Sequence, residues 1–486
     1  MKKQQYGLAL AFLVLAIILL LPTPAALSSA GHRMLGILIF SVIVWMTEAV
    51  SYPVSAALIL SLMAFLLGMA PDMANPTRLM GTGAALKLAL SGFANSALAL
   101  VGAALFIAAA MMKTGLDKRI ALVVLSKIGA RTNRVLAGVI FVGFLLSFFV
   151  PSTTARVSCM VPIVMGIISA FGVPLKSRFS AIMMIAIAQA DSVWNVGIKT
   201  AAAQNMIAVG FIEKQLGVYV SWLDWFIAAA PFALIMSVVL YHLLLKLIPP
   251  EMDEIEGGQA TVAKALAELG PMKASEKKLM IISIVLLFFW ATEKILHNFD
   301  TSSTTIVAIT LMMMPGIGIM TWKEAQERIG WGTLILFGVG ISLGSAILST
   351  KAASWIAGCI VDGFGLYDMT AFCIIAVLSA FLIVIHLGFA SATALAAALI
   401  PIIISVLQGA AEHSALNVVG MTIILQYVIC FGFILPVNAP QNMVAFGTET
   451  FEARDFIKTG IPLTIIAYAL ILLLSATYWK WLGLVL

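Results

Sequence analysis

The feature that most constrains this chain is a series of apolar runs, each about as long as a membrane is thick. A hydrocarbon core of about 30 Å is crossed by about 20 helical residues. Clear runs of this kind occupy residues 6–21, 34–49, 53–69, 96–112, 222–247, 279–295, 304–319, 331–348 and 461–482. Further apolar stretches around 135–172, 180–210, 371–408 and 417–447 are interrupted by Pro, Gly and polar clusters. The sequence therefore predicts an all-α polytopic membrane protein with about 11 transmembrane helices.

The composition is also typical of a protein embedded in a lipid bilayer. Apolar residues make up 62% of the sequence and charged residues 10%, whereas soluble domains carry about 25% charged residues. The net charge of +6 comes from Lys and Arg in predicted loops, which is typical of membrane proteins and does not indicate nucleic-acid binding. Four cysteines lie far apart, so no metal site or cofactor is predicted. The first apolar run is longer than a signal-peptide core, and we expect an uncleaved first helix.

An internal repeat is the most informative pattern in the sequence. Ser152-Thr-Thr-Ala155 recurs as Ser391-Ala-Thr-Ala394, and the Pro-Ile pair that follows each motif recurs at the same offset of 239. Gln204-Asn-Met-Ile-Ala-Val-Gly210 recurs as Gln441-Asn-Met-Val-Ala-Phe-Gly447 at an offset of 237. Two polar motifs in the same order at nearly one spacing indicate two related halves.

The two halves are predicted to have opposite orientations in the membrane. Residues 113–134 of the first half carry six Lys or Arg, whereas the equivalent residues 351–372 carry one. Because cationic loops stay in the cytoplasm, we expect the first stretch inside, the second outside and the N-terminus in the cytoplasm. Inverted repeats are typical of secondary transporters, whose binding sites lie at the repeat interface near the bilayer midplane.

The repeated motifs place small polar residues beside backbone that is difficult to keep helical. Pro151 precedes the first Ser-Thr motif and Gly388 precedes the second, and non-helical backbone in a membrane must be buried or line a water-filled cavity. We expect a re-entrant hairpin in each half, whose tip offers backbone N–H groups to carboxylates. The Gln-Asn motifs predict a broken helix in each half, with Asn205 and Asn442 as candidate substrate ligands. Ordinary helix packing by small residues is the alternative interpretation.

The segments that carry these motifs resemble the divalent anion/sodium symporter family. Pro151-Ser-Thr-Thr-Ala-Arg156 and Ser391-Ala-Thr393 are similar to the paired Ser-Asn-Thr motifs of that family. Further similarity lies in Phe93-Ala-Asn-Ser-Ala97, Lys113-Thr-Gly-Leu116, Lys118-Arg-Ile-Ala121 and Glu276-Lys-Lys278. The resemblance covers nearly the whole chain and is strongest to bacterial di- and tricarboxylate antiporters.

The resemblance implies an eleven-helix homodimer with a scaffold and a transport domain in each protomer, which move as an elevator. It divides the chain into N-terminal scaffold helices (1–92), a first inverted repeat with a hairpin tip at 151–156 (93–248), a cytoplasmic linker (249–278), further scaffold helices (279–330) and a second inverted repeat with a hairpin tip at 390–394 (331–486). It also implies that the two tips hold the substrate carboxylates, through Ser152, Thr153, Thr154, Ser391 and Thr393.

The sequence departs from the family where symporting members bind sodium, between each tip and the broken helix behind it. The family's Asn is absent from both tips, where Thr153 and Ala392 stand. Arg156 follows the first tip, Lys199 lies in the first broken helix, and His386 precedes the second tip. The remaining candidates for charge balance or an ion site are Ser147, Gly197 and Asn438. No metal ion is assigned.

Fixed positive charge would have a consequence for transport. A dicarboxylate loses hydration at the midplane, and nearby cations can offset that cost. An empty site with built-in positive charge would cross the membrane at a high energetic cost, because no anion compensates the charge. The return step would then need a second dianion, which predicts obligate exchange without sodium. Asp191 is a candidate ion-pair partner for one of these cations. The alternative interpretation of Arg156 is a side chain that reaches the cytoplasmic membrane interface, and that of His386 is a hydrogen-bonded core residue.

The predicted function is secondary active exchange of dicarboxylates such as succinate, malate, fumarate or 2-oxoglutarate, or of citrate, across the bacterial inner membrane. The alternatives are sodium-coupled symport of a dicarboxylate or sulfate, and a channel or exchanger for an inorganic anion. An enzyme is not expected, since the sequence has no HExxH zinc signature. The expected partners are the substrate, the bilayer and a second copy of the chain, with no nucleic acid.

Overall fold

A computed structural model of the chain describes residues 2–129, 131–170, 173–253, 258–366 and 369–486. Within these residues the only strand-like pairings are two isolated bridges, Pro71 with Leu79 and Glu293 with His297, so the predicted all-α fold is confirmed. Residues 254–257 of the predicted linker lie outside the described residues. In chain order the helices are α1 (Lys2–Leu20), α2 (Ser29–Thr47), α3 (Tyr52–Leu62), α4 (Thr82–Ala89), α5 (Ser96–Thr114), α6 (Leu116–Ser126), α7 (Thr132–Phe149), α8 (Thr153–Ala170), α9 (Arg178–Gly197), α10 (Ala203–Leu216), α11 (Trp222–Leu247), α12 (Gly258–Glu268), α13 (Ala274–Thr292), α14 (Thr301–Met313), α15 (Trp322–Arg328), α16 (Trp331–Ser349), α17 (Ala352–Phe364), α18 (Ala371–His386), α19 (Ala392–Ala411), α20 (Val418–Ile429), α21 (Pro440–Phe446), α22 (Ala453–Ala476) and α23 (Tyr478–Trp481).

Eight helices in the described part of the chain are long and apolar enough to cross a membrane, and several shorter helices are also apolar. The protein is therefore a multi-pass membrane protein. Counting each interrupted helix once and each hairpin as re-entrant gives eleven crossings in the described ranges, which agrees with the prediction. They are α1, α2, α3, α5, α9 with α10, α11, α13, α14, α16, α20 with α21, and α22.

Local sequence determines where these helices begin and end. α11 begins with a capping box in which Ser221 and Asp224 exchange hydrogen bonds with each other's backbone. Asn95 caps the first turn of α5, and Gly115 ends that helix at a φ of 72°, where a side chain would be strained. Pro53 lies in the first turn of α3, where its missing N–H is not needed.

The two halves repeat the same order of seven helices. The series α5 to α11 is followed later by the equivalent series α16 to α22. Packing between the halves is reciprocal: α10 of the first half packs on α19 of the second, and α21 of the second half packs on α8 of the first. Each half therefore completes the hairpin of the other.

The two hairpin tips are built in the same way. α7 ends at Phe149 and α8 begins at Thr153, while α18 ends at His386 and α19 begins at Ala392. The serine before each second helix is an N-cap: the Oγ of Ser152 accepts a hydrogen bond from the N–H of Ala155 at 3.4 Å, and that of Ser391 from Ala394 at 3.3 Å. This explains why the repeated motif begins with serine.

The two helix breaks are also held in the same way. The Asn205 Nδ2 group donates to the carbonyls of Asn195 at 2.6 Å and Ile198 at 3.2 Å. The Asn442 Nδ2 group donates to Gly432 at 2.7 Å and Leu435 at 3.5 Å, each at the repeat offset of 237 from its counterpart. These amides satisfy carbonyls that the break releases from helical hydrogen bonding.

We expect Asn442→Ala to lower the stability of the folded protein by about 1–3 kcal/mol, because the buried carbonyl of Gly432 loses its donor. The carbonyl of Leu435 keeps the N–H of Asn438. Thermal unfolding of the detergent-purified variant, followed by size-exclusion chromatography after heating, measures this loss of stability. Asn133→Ala, at an exposed position, is the matched control. An unchanged melting temperature for Asn442→Ala would contradict the bridging role.

Two glycines of α16, Gly340 and Gly344, lie where this helix meets α10 and α19. A Cβ at Gly340 would lie 2.6 Å from the Cβ of Ala397, and a Cβ at Gly344 would lie 2.4 Å from the ring of Phe211. Real side chains do not approach so closely, so the backbone of α16 lies directly against these helices.

The same stretch, Gly340-Ile-Ser-Leu-Gly344, has the letters of the GxSxG motif of serine hydrolases. That motif requires a sharp turn between a strand and a helix, whereas these residues lie inside α16. Ser342 accepts a hydrogen bond from the N–H of Gly92 at 2.9 Å. The serine therefore has a packing role.

Candidate functional site

Both hairpin tips line one cavity of about 130 Å³ between the two halves. Sites for drug-sized ligands occupy roughly 300–1,000 Å³, so this cavity suits a small solute. The structure brings together all five predicted tip residues, Ser152, Thr153, Thr154, Ser391 and Thr393.

The starts of helices surround this cavity. Thr153 of α8, Ala203 of α10 and Ala392 of α19 lie in its wall at the first residue of each helix, and Pro440 begins the short α21 there. Helix N-termini present backbone N–H groups and a partial positive charge. In the described part of the chain no charged side chain lines the cavity. The arrangement favours an anion held by neutral donors.

The opposite wall comes from α3, α5 and α16. Tyr52 and Thr333 contribute hydroxyl groups, and the Tyr52 hydroxyl faces that of Ser391. The apolar part of this wall is formed by Val101, Ala104, Leu105 and Leu336. Sequence reasoning missed these residues, because they lie in ordinary apolar runs far from either repeated motif.

Arg156 is fully buried behind the first tip and does not line the cavity. Its Nε pairs with Asp191 at 2.6 Å, so Asp191 is the partner that the sequence suggested. Its Nη1 donates to the carbonyls of Val150 at 2.8 Å and Ala201 at 3.0 Å, and its Nη2 to Asn195 at 2.8 Å. The ion pair carries no net charge, and the guanidinium links the tip to the broken helix.

Asn438 has the corresponding role in the second half, although it is not the repeat equivalent of Arg156. Its Nδ2 group donates to the carbonyls of His386 at 2.9 Å, Leu387 at 3.4 Å and Phe389 at 3.1 Å. Phe389 is related to Val150 by the offset of 239, so the carbonyl before each tip is held by a protein donor in both halves. A guanidinium does this in the first half and an amide in the second.

Lys199 and His386 are also buried outside the cavity wall. The Lys199 Nζ donates to the carbonyl of Val220 at 2.7 Å and lies 5.0 Å from the ring centre of Tyr219. Neither ring nitrogen of His386 has a hydrogen-bond partner among the described residues.

The other candidates are held by packing or by backbone. Ser147 donates to the carbonyl of Gly143 at 2.7 Å, and a side chain at Gly197 would collide with Trp194. Asn205 and Asn442, the bridging amides, do not line the cavity.

The glutamines of the repeated Gln-Asn motif line the cavity in place of the asparagines. Gln441 donates to the Oγ of Ser192 in the other half at 3.1 Å, and Gln204 donates to the Sγ of Cys430 at 3.7 Å. The motif contained the signal, but the sequence did not show which of its two amides faces the cavity.

No group of three or more His, Cys, Asp or Glu residues in the described ranges could hold a metal ion. The cysteines Cys159, Cys359, Cys373 and Cys430 are all free thiols.

A multi-pass helical protein with two inverted repeats and a polar cavity between their hairpin tips is a membrane transporter of the inverted-repeat class. More specifically, the chain belongs to the family described as the sodium:sulfate symporter transmembrane region, which matches residues 2–485. The resemblance to the divalent anion/sodium symporter family is thereby confirmed.

Individual relatives cover almost the whole chain. A membrane protein of Cupriavidus necator is 57% identical, with 98% of this chain and 93% of the relative covered. The sodium-dependent dicarboxylate transporter SdcS of Staphylococcus saprophyticus is 26% identical, with 97% and 90% covered. Among solved structures, the Alcanivorax borkumensis YdaH transporter, whose topology is described as unusual, aligns with a TM-score of 0.54 at 13% identity, covering 94% of this chain and 100% of that one. This last similarity concerns the fold alone.

Proposed function

We propose that the protein exchanges small dicarboxylates across the bacterial inner membrane without sodium. The observation that carries the proposal is the cavity between the two equivalent tips, which is lined by neutral donors and helix N-termini. A site with two similar ends suits an anion with two carboxylates. The proposed substrates are succinate, malate, fumarate and 2-oxoglutarate, with citrate as a larger candidate.

Protein donors support independence from sodium. Hard cations bind through the lone pairs of oxygen atoms, and the carbonyls of Val150 and Ala201 already accept from Arg156. Behind the second tip, three carbonyls accept from Asn438. These oxygens lie between a tip and a broken helix, where symporting members of the family bind sodium.

The electrostatics of the empty site support exchange. The helix N-termini carry fixed partial positive charge, and Lys199 is a buried cation without an ion-pair partner among the described residues. An empty site would take this positive potential into the membrane uncompensated, which is costly. A bound dianion compensates this positive potential whether the site moves inward or outward.

The position of the cavity supports the elevator mechanism. Its walls come from the hairpins and broken helices on one side and from α3, α5 and α16 on the other. A movement of the first group against the second would carry the ligand. The homodimer and the cytoplasmic N-terminus are proposed from the family resemblance and the charge distribution.

Transport by purified protein in liposomes tests this function. Labelled succinate, malate or 2-oxoglutarate is supplied outside, while the lumen is empty or preloaded with unlabelled dicarboxylate, with and without a sodium gradient. We expect uptake only into preloaded vesicles, at the same rate with and without sodium. Sodium-driven uptake of a dicarboxylate or sulfate into empty vesicles would establish the symport alternative, which the name of the Staphylococcus relative favours.

Removal of a tip hydroxyl should weaken substrate binding. We expect Ser391→Ala to raise the KM for exchange about 10- to 100-fold, since one hydrogen bond to a charged group is worth roughly 1.5–3 kcal/mol. Ser405→Ala is the matched control, because Ser405 lies in the same helix and bonds only to the carbonyl of Pro401 in that helix. Equal KM values for both variants would contradict the role of the tip.

A further inference from the structure

We propose that Asn195 is a ligand for one carboxylate of the substrate, and that Arg156 is the positioning residue that turns the Asn195 amide nitrogen into the cavity. The inference rests on the proposed function, because it adds a ligand to the same site.

Two donors fix the orientation of the Asn195 side chain. The Asn195 Oδ1 accepts from the Thr153 hydroxyl at 2.8 Å and from the Arg156 Nη2 at 2.8 Å. A guanidinium has only donors, so the amide atom that faces it must be the oxygen. The amide nitrogen therefore lies on the other side of the group.

The amide nitrogen is open to the cavity. Asn195 is 2% exposed and lines the cavity wall. Its Nδ2 donates to no acceptor in the described part of the chain. Protein atoms do not fully enclose this nitrogen. Two N–H groups are thus available to a ligand in the cavity, where a carboxylate is the strongest acceptor.

Arg156 cannot easily release this orientation. Its guanidinium is held by Asp191 at 2.6 Å and by the carbonyls of Val150 and Ala201. A ligand whose orientation is fixed before binding loses little conformational freedom on binding, which favours affinity and selectivity.

Asn195 also complements the first hairpin tip. The Thr153 hydroxyl donates to Asn195. α9 thus places an amide beside a tip that has only hydroxyl side chains of its own. The equivalent residue of the second half is Gly432, so the two ends of the site share their serine and threonine tips and differ in this one amide.

Asn195→Asp tests the proposal. Asp has the shape of Asn, and one carboxylate oxygen can still accept from Thr153 and Arg156. Because the change adds a second buried carboxylate near the Arg156–Asp191 pair, we expect a lower melting temperature than that of the wild type, and binding is measured on the folded, monodisperse fraction. The second oxygen presents an acceptor and negative charge to the cavity. We expect the dissociation constant for labelled succinate, measured on purified protein, to rise about 10- to 100-fold.

Two further variants complete the test. Asn95→Asp is the matched control, because Asn95 caps α5 outside the cavity and Asp serves equally well as an N-cap; its binding should be unchanged. Arg156→Lys keeps the charge but cannot reproduce the fork of donors, and we expect the KM for exchange to rise about tenfold, with a smaller change in kcat.

The outcomes separate this inference from the proposed function. If the wild type binds none of succinate, malate, fumarate, 2-oxoglutarate and citrate, the proposed function is wrong. If the wild type binds succinate and Asn195→Asp binds it equally well, only the role of Asn195 is wrong. If Asn195→Asp gives no folded protein, an unchanged KM for exchange by Arg156→Lys overturns the inference.

Discussion

Arg156→Met is expected to lower the stability of the protein by about 3–5 kcal/mol, or to prevent folding, because a buried carboxylate would lose its counter-charge. Arg156 and Asp191 are both fully buried and pair at 2.6 Å. The variant would also leave the carbonyls of Val150 and Ala201 without the donor they have now. The yield of monodisperse protein and its melting temperature in detergent measure the effect.

Two comparisons show whether the charge is responsible. Arg156→Met combined with Asp191→Asn removes both charges and should recover part of the lost stability, since the remaining polar groups are neutral. Lys113→Met breaks the partly exposed pair of Lys113 with Glu324, and should cost no more than about 1 kcal/mol. If Arg156→Met melts no lower than Lys113→Met, the buried pair does not hold the first tip.

Asn438→Ala is expected to produce the second large effect. Removal of the amide leaves the carbonyls of Leu387 and Phe389 without a donor, while that of His386 keeps the N–H of Phe389. We expect a cost of about 1–3 kcal/mol, and exchange activity should fall with the loss of the tip geometry. The freed oxygens of His386, Leu387 and Phe389 would converge on one point. A hard cation prefers such an oxygen cage, so sodium should raise the melting temperature of this variant.

The measurement compares sodium chloride with choline chloride at equal ionic strength. The wild type should melt at the same temperature in both salts, because Asn438 already satisfies the three oxygens. A sodium-dependent increase in the wild type would contradict the proposal that protein donors replace the cation. Equal melting of Asn438→Ala in both salts would show that the freed carbonyls do not form a cage.

The fold could be predicted because its determinants are long or repeated. Apolar runs of about 20 residues identify membrane helices whatever their contacts. The two hairpins and breaks were recognisable because the same letters recur at offsets of 239 and 237 with Pro or Gly nearby. A repeat is found by comparing the sequence with itself, and this comparison needs no knowledge of the tertiary structure.

The details of the site could not be predicted in the same way. Successive residues on a helix differ in direction by about 100°, so the sequence could not show that Gln204 faces the cavity while Asn205 faces the break. Asn195 lies in a mostly apolar segment, and the residue at the repeat offset is Gly432, so no repeated motif identified it. Its role became visible only when Arg156, 39 positions earlier, was placed against it.

The two glycines of α16 have a mechanical consequence for the proposed movement. Interlocked side chains must be withdrawn from their holes before two surfaces can slide, which raises the barrier to each step. At Gly340 and Gly344 the space above the backbone is filled by Ala397 and Pro401 of α19 and by the ring of Phe211 of α10. These side chains fit into notches of α16, so the three helices hold together as one rigid unit until the side chains are withdrawn, and a single added methyl group at Gly344 would force that unit apart.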